Sequence, residues 1–171
     1  MTDITFKGKP IKLSGKLTQL GSKAPPFILV NKELSDLSLD SFKQTKLLNI
    51  FPSLDTSVCS RSVHTFNKQC QEIPSLLVLN ISMDLPFAAA RFCTAENLNN
   101  AITLSAFRSS FGDDYGLKIA DGPLKGLLAR AVILLSENNQ IEYIELVPEI
   151  SQEPNYSEAI NHIKQLITAK R

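Results

Sequence analysis

Cys59 is the residue of this sequence best placed for nucleophilic chemistry, because it stands at a predicted junction of strand and helix. The apolar run 47–51 predicts a buried strand that ends at Pro52, and a helix is predicted from about Ser57 to Glu72. The free N–H groups and the dipole at a helix start stabilise an anion. Since the thiolate is the nucleophile, this is a favourable position for a reactive cysteine.

The other two cysteines have different predicted environments. Cys70 lies on the apolar face of the same predicted helix, with Val63 and Phe66, and is interpreted as an inert core residue. Cys93 follows a second predicted helix, which runs from Asp84 as its N-cap through Phe92. A zinc site made from the three cysteines and His64 lacks the short paired spacing of structural zinc. No metal and no cofactor are predicted.

Composition limits the kind of partner. The 171 residues carry 18 lysines and arginines against 17 acids, so no basic face for nucleic acid is expected. The N-terminus has no basic region followed by an apolar run, and no apolar stretch is long enough to span a bilayer. We therefore expect a cytoplasmic protein that binds no nucleic acid and no membrane. A single domain over residues 1–171 is the simplest organisation, because no repeat or linker is found.

Hydrophobic periodicity and turn residues predict an α/β fold. A hairpin is predicted over residues 4–13, with its turn at Gly8-Lys9-Pro10. Further strands are predicted at 27–31, 47–51, 76–81, 130–135 and 141–147, and helices at 57–72, 84–92 and after Asn155. Between 94 and 125 only turns are predicted. This order of elements indicates a thioredoxin-like fold, with a central mixed sheet flanked by helices and an added N-terminal β-hairpin.

Several short motifs resemble those of peroxiredoxins. Pro52, Thr56 and Cys59 match the pattern P-x-x-x-T-x-x-C. The segments 84–87 (Asp-Leu-Pro-Phe), 91–93 (Arg-Phe-Cys) and 121–127 (Asp-Gly-Pro-Leu-Lys-Gly-Leu) are similar to those of the bacterial thiol peroxidase branch, the atypical two-cysteine type. The resemblance extends from the first strand to the C-terminal helix.

The resemblance implies a role for each matching residue. Cys59 matches the peroxidatic cysteine and Cys93 the resolving cysteine, which implies an intrachain Cys59–Cys93 disulfide. Thr56 matches the hydroxyl that bonds the thiolate and the peroxide oxygens, and Pro52 matches the ring that shields the sulfur from water. Arg130 matches the guanidinium that stabilises the thiolate and aligns the substrate. Members of the family are typically homodimers that thioredoxin re-reduces.

The implied activity is an antioxidant one, the reduction of hydrogen peroxide and of alkyl or lipid hydroperoxides to water or alcohols. A free thiol of pKa ~8.5 is roughly 3% ionised at neutral pH, so complete ionisation raises the rate only ~30-fold. Most of the catalysis must therefore come from orienting the O–O bond and stabilising charge on the departing oxygen.

The implied disulfide requires a movement of the chain. A disulfide needs Cα atoms within ~7 Å, so two sulfurs on different helices can meet only if a helix unwinds locally.

Two other functions are compared with this one. A thioredoxin-type oxidoreductase normally uses C-x-x-C, but Cys59 is followed by Ser60, Arg61 and Ser62, so the second thiol is missing. A redox-sensing or chaperone-like module with little peroxide turnover remains the alternative. It would form a disulfide without consuming peroxide rapidly in the presence of a reductant.

Overall fold

The computed structural model describes residues 3–169, so residues 1–2 and 170–171 of the predicted domain lie outside the described part. The strands are β1 (Ile4–Phe6), β2 (Lys9–Ile11), β3 (Leu13–Ser14), β4 (Ile28–Asn31), β5 (Asp36–Ser38), β6 (Thr45–Ile50), β7 (Leu76–Ser82), β8 (Ile102–Ser105), β9 (Lys118–Ile119), β10 (Ala131–Leu135) and β11 (Ile141–Leu146). The helices are α1 (Ser57–Cys70), α2 (Pro86–Ala95), α3 (Phe111–Asp114) and α4 (Tyr156–Ala169).

Seven strands form one mixed sheet in the order β11-β10-β6-β7-β8-β4-β5. At its centre β6, β7 and β8 run parallel, and β10 pairs antiparallel with β6. Helices α1 and α2 make the crossovers between the parallel strands, which is the arrangement predicted for residues 57–72. Every residue of β6 is buried, so the strand that leads towards Cys59 lies in the middle of the core.

Alternate residues of the central strands face two different layers. Leu47 packs with Phe66 of α1 and Ile163 of α4, so these two helices cover one face of the sheet. Leu48 and Ile50 belong instead to the larger cluster, which also contains residues of α3 and of the β3–β9 pair. Helix α1 is therefore fixed against the sheet by its buried side.

The N-terminal hairpin is present, but the predicted position of its turn is wrong. The sequence favours Gly8-Lys9-Pro10, whereas the turn lies at Lys7 and Gly8, whose φ angles are 51° and 79°. Two positive φ angles are what a two-residue type I′ turn requires. Lys9 and Pro10 therefore belong to β2, and Pro10 is paired with Thr5.

Helix α2 begins later than predicted and extends beyond Phe92, so that it includes Cys93. The predicted N-cap, Asp84, is not the cap, because Leu85 occupies that position and no side chain caps the helix. A residue before proline favours extended backbone, and Leu85 has φ −67° and ψ 151°. Pro86 then fits the first turn. The Asp84 carboxylate is left to bind residues outside α2.

The segment 94–125, for which the sequence predicts only turns, contains β8, α3 and β9. The strand β5 is also unpredicted. None of these elements is longer than four residues, and hydrophobic periodicity does not become visible over so short a length.

Over residues 3–169, no helix has both the length and the apolar composition needed to cross a membrane.

Candidate active site

Cys59 lies in the first turn of α1, as predicted, and its side chain is 0% exposed. Thr56 is the N-cap of the helix, and its hydroxyl accepts a hydrogen bond from Cys59 N at 3.3 Å. The cap satisfies one of the N–H groups that a helix start leaves without a partner. The remaining N–H groups and the helix dipole favour a negative charge at this position.

Arg130 brings a buried positive charge to Cys59. It precedes β10 by one residue, is 2% exposed, and donates from Nη2 to Cys59 Sγ at 3.2 Å. The sequence predicts Arg130 inside the strand, but β10 begins at Ala131. Its Nη1 atom is buried without a hydrogen-bond partner among residues 3–169. One donor of the guanidinium thus contacts the sulfur and another remains available beside it.

The segment after β11 holds Arg130 from the opposite side. Arg130 Nε donates to Ile150 O at 2.8 Å, and Val147 N donates to Arg130 O at 3.0 Å. This segment pairs in turn with the first strand, since Thr5 N donates to Pro148 O at 2.8 Å and Ile150 N donates to Thr5 O at 2.9 Å. The guanidinium is therefore positioned by backbone groups and not by the sulfur alone.

The loop before α1 contains the other two predicted site residues, Pro52 and Thr56. Pro52 is buried and Thr56 is exposed. Thr56 donates to Ser53 O through both its backbone N, at 3.2 Å, and its hydroxyl, at 3.3 Å. Because a hydroxyl has only one proton, the predicted bond from Thr56 to the sulfur requires its O–H to rotate away from Ser53.

Cys93 lies within α2 and is 1% exposed. Burial raises the pKa of its thiol, while the Lys32 cation and the Thr103 hydroxyl act in the opposite direction. Thr103 Oγ1 is buried without a hydrogen-bond partner in the described part of the chain, so its hydroxyl is available to the Cys93 sulfur. Sequence reasoning missed Lys32 and Thr103, because Lys32 follows β4 and Thr103 lies in β8, and only the folded sheet brings these strands beside α2.

Helices α1 and α2 pack against each other through an apolar cluster that includes Cys59, Val63 and Ala89, with Phe92 at its edge. The structure therefore brings the two helices together. It does not join the two predicted redox sulfurs, since Cys59 and Cys93 are both free thiols.

Cys70 is a buried thiol at the far end of α1. It is 5% exposed and packs with Phe66 and Leu76. Burial raises the pKa of Cys70 to about 11, so it stays protonated at neutral pH.

Among residues 3–169, no group of three or more His, Cys, Asp and Glu side chains is arranged to hold a metal ion.

A chain of buried polar groups lies beneath Cys59 and was missed by sequence reasoning. Ser62 Oγ donates to Cys59 O at 2.7 Å, and Asn49 Nδ2 contacts Ser62 Oγ at 3.2 Å and Asn80 Oδ1 at 3.0 Å. The two asparagines are register partners on β6 and β7. An asparagine within each of two apolar runs was the signal available in the sequence, because buried amides need partners.

A groove of about 780 Å³ opens between the start of α1 and α2. Thr56, Ser57 and Ser60 line one side of it, and Phe87 and Phe92 line the other. Phe87 is 67% exposed, which is unusual for a large aromatic side chain. The groove thus combines polar groups near the Cys59 turn with an apolar wall.

Comparison with known proteins identifies the family. The Redoxin family profile matches residues 19–160. The thiol peroxidases of Mycobacterium bovis and Mycobacterium tuberculosis are each 50% identical to the chain over 161 residues, which is 94% of this chain and 97% of each relative. The chain belongs to the thiol peroxidases of the redoxin family. It is therefore an oxidoreductase with peroxidase activity, and a hydroperoxide is its substrate.

Solved peroxiredoxin structures share the fold. The peroxiredoxin-like protein from Aquifex aeolicus is 37% identical, with a TM-score of 0.92 over 97% of this chain and 98% of that one. The thiol peroxidase from Chromobacterium violaceum, at 23% identity, matches with a TM-score of 0.89 over 96% of this chain and 97% of its own. The thioredoxin-like fold expected from the sequence is confirmed.

Proposed function

We propose that Cys59 is the peroxidatic residue and that it attacks the hydroperoxide as a thiolate. The observation that supports this best is the 3.2 Å contact from Arg130 Nη2 to Cys59 Sγ at the start of α1. A buried guanidinium needs an anionic partner, because an unpaired buried charge is strongly destabilising. The Cys59 sulfur, attacking as a thiolate, supplies that partner in the proposed reaction.

In the first step the Cys59 sulfur attacks one oxygen of the hydroperoxide. An S–O bond forms as the O–O bond breaks, so the sulfur loses two electrons and the peroxide gains them. Cys59 becomes a sulfenic acid, and the departing oxygen takes a proton from water and leaves as water or alcohol. Arg130 Nη1 donates to the peroxide oxygens, the Thr56 hydroxyl bonds the reacting atoms, and Pro52 keeps water from the sulfur.

In the second step Cys93 attacks the sulfenic sulfur of Cys59. An S–S bond forms, the S–O bond breaks, and the oxygen leaves as water with the proton of the Cys93 thiol. Because both sulfurs are buried within helices, α1 or α2 must unwind locally for them to meet. Cys70 is not the partner, since eleven positions along an intact helix separate it from Cys59 by about 16 Å.

The reductant we propose is thioredoxin, acting on a cytoplasmic homodimer. The resemblance to atypical two-cysteine peroxiredoxins supports this proposal. Three cysteines, without the pattern of a structural disulfide framework, also fit a reducing compartment. The dithiol of the reductant attacks the disulfide, supplies two electrons and restores both thiols.

The proposed substrates are hydrogen peroxide and organic hydroperoxides, with an alkyl or lipid chain lying in the groove between α1 and α2. Phe87 and Phe92 provide an apolar wall for such a chain, and Thr56 places the polar end of the groove at the Cys59 turn. An apolar contact of this kind lowers the KM of a long-chain peroxide more than that of hydrogen peroxide.

One experiment tests the two cysteine steps together. One equivalent of hydrogen peroxide is added to the reduced protein, and the disulfide is mapped by nonreducing peptide mass spectrometry. We expect a Cys59–Cys93 bridge, with Cys70 as a thiol. A bridge to Cys70, or no change at Cys59, would contradict the proposal.

Turnover distinguishes the enzyme from the redox-sensing alternative. With thioredoxin, thioredoxin reductase and NADPH present, each added equivalent of peroxide is expected to oxidise one equivalent of NADPH. If the disulfide forms but peroxide and NADPH are consumed only slowly with the reductant present, the sensing module is the better description.

A further inference from the structure

Asp84 joins the two segments that the proposed cycle has to move. Its Oδ1 atom accepts a hydrogen bond from Ser53 Oγ at 2.7 Å, and its Oδ2 atom accepts from Leu54 N at 2.8 Å and from Ser82 Oγ at 2.7 Å. Ser53 and Leu54 belong to the loop before α1, whereas Asp84 stands just before α2. One carboxylate therefore connects the loop before α1 to the start of α2.

The connection continues from Ser53 to Cys59 through a short series of hydrogen bonds. Ser53 O accepts from Thr56 N and from Thr56 Oγ1, and Ser53 Oγ accepts from Asp55 N at 3.1 Å. Thr56 Oγ1 in turn accepts from Cys59 N. The residue held by Asp84 is thus the same one that orients the N-cap of the Cys59 helix.

Asp84 itself is fixed on the sheet side. Its backbone N donates to Ser82 Oγ at 3.2 Å, and its backbone O accepts from Ser105 Oγ. Ser82 and Ser105 are the last residues of the neighbouring parallel strands β7 and β8. When the loop before α1 moves, the loop therefore leaves the carboxylate, while Asp84 stays with the sheet.

We infer that Asp84 is a positioning residue that sets the balance between peroxide reduction and disulfide formation. The inference rests on the proposed roles of Cys59 and Cys93. With the Ser53 and Leu54 bonds made, the loop keeps Cys59 beside Arg130, the arrangement in which the sulfur meets a peroxide. For Cys93 to reach the oxidised sulfur, the start of α1 has to unwind and the loop has to give up its bonds to Asp84.

The balance between peroxide reduction and disulfide formation can be measured from the oxidation products of Cys59. The Cys59 sulfenic acid has two fates: Cys93 attacks it and forms a disulfide, or a second peroxide oxidises it to a sulfinic acid. In the second reaction another S–O bond forms and the second peroxide is reduced by two electrons. The longer the loop stays bound to Asp84, the larger the share of sulfinic acid at a given peroxide concentration.

The test is the Asp84→Asn variant, in which an amide nitrogen that cannot accept a hydrogen bond replaces one carboxylate oxygen. We expect the rate constant of Cys59 with peroxide to fall about tenfold, which is the effect of about 1.4 kcal/mol. Disulfide formation should accelerate several-fold, so that the sulfinic share per turnover falls. Rapid mixing, acid quenching and intact-protein mass spectrometry count sulfenic acid, disulfide and sulfinic acid in the same sample.

Two serine variants provide matched comparisons. Ser53→Ala removes one bond between the loop and the carboxylate, and should shift both rates in the directions of Asp84→Asn by a smaller factor. Ser110→Ala removes a serine-to-carboxylate bond of the same kind, to Asp114 in α3 and away from the loop, and should leave the sulfinic share unchanged. If Asp84→Asn does not fold, the contrast between the two serine variants carries the test.

Two results would overturn the inference: an equal slowing of both steps in Asp84→Asn, or the same sulfinic share in wild type, Asp84→Asn and Ser53→Ala. Either result would show that Asp84 supports the structure without setting the balance between the two reactions. A wild-type protein that forms no Cys59–Cys93 disulfide would instead contradict the proposed function. The two failures are therefore distinguishable within one set of measurements.

Discussion

Arg130 and Cys59 are 71 positions apart in the chain, yet Nη2 of the guanidinium donates to Sγ of the thiol across 3.2 Å, with both side chains buried. The same guanidinium is fixed through Nε to Ile150 O, so its position at the start of α1 does not depend on the sulfur alone. A charge that is held in place before the peroxide arrives needs no rearrangement during the reaction.

Substitution of Arg130 should therefore slow the first step. We expect Arg130→Met to lower the rate constant with peroxide by about 10²–10³-fold, the usual cost of removing one preorganised donor. Arg130→Lys keeps the charge but not the planar fork that reaches Ile150 O and Sγ together, so it should recover only part of the loss. Competition with a haem peroxidase for hydrogen peroxide measures these rates, and an Arg130→Met variant within twofold of wild type would contradict the prediction.

Substitution of each of the three cysteines should affect a different part of the reaction. Cys59→Ser should consume no peroxide, because the nucleophile is gone. Cys93→Ser should react once with peroxide and then fail in thioredoxin-linked turnover, because its sulfenic acid has no internal partner. Cys70→Ser, the control on the same helix as Cys59, should keep nearly full activity. Full activity in Cys59→Ser would contradict the proposed mechanism.

Lys32 should assist the second step alone, since its cation opposes the rise that burial causes in the pKa of Cys93. In Lys32→Gln we expect disulfide formation at pH 7 to slow about threefold, because a smaller fraction of Cys93 is ionised. The pH dependence of that step should move to higher pH, while the reaction of Cys59 with peroxide is unchanged. Lys164→Gln, on the exposed side of α4, is the matched control. Unchanged disulfide formation in Lys32→Gln would remove Lys32 from the mechanism.

Cys70 should make the folded state sensitive to alkaline pH. Burial raises its pKa from 9.0 to about 11, so the folded chain keeps the proton at a pH where the unfolded chain has lost it. This contribution to stability is complete below pH 9 and is lost as the pH rises towards 11; it amounts to roughly 3 kcal/mol. Urea unfolding under reducing conditions measures it.

The Cys70→Ala variant isolates that contribution, because Cys59 and Cys93 titrate equally in both proteins. The difference in unfolding free energy between wild type and Cys70→Ala should shrink between pH 9 and pH 11. A difference that stays constant over this range would show that Cys70 ionises as readily in the folded chain as in the unfolded one.

The long elements of the fold could be predicted from the sequence, because their patterns are strong. The run 47–51 is fully apolar except for Asn49, and the buried residues of α1 recur at the spacing of one helix face. The short elements β5, β8, α3 and β9 could not be predicted, since pairing within the folded sheet determines them more than local propensity does. The sequence misplaces the turn at Lys7-Gly8 because Pro10, two positions beyond Gly8, is itself a turn signal.

The residues of the candidate site also differ in how far the sequence predicts them. Cys59 and Thr56 are close in sequence, and helix capping relates them before any tertiary structure forms. The partners of Cys93 and of Asp84 come from other strands and loops, and no local pattern joins Lys32 or Ser53 to them. Arg130 lies between these cases, because only the family resemblance singled it out from other arginines at strand ends.

The pairing of Thr5 with the segment that holds Arg130 gives the first strand an importance that its length of three residues conceals. Proteolytic trimming or a bulky fusion at that end of the chain would loosen the backbone oxygen on which the guanidinium is anchored. Preparations of this enzyme that differ only in their N-terminal residues should therefore differ in specific activity, although every cysteine is intact.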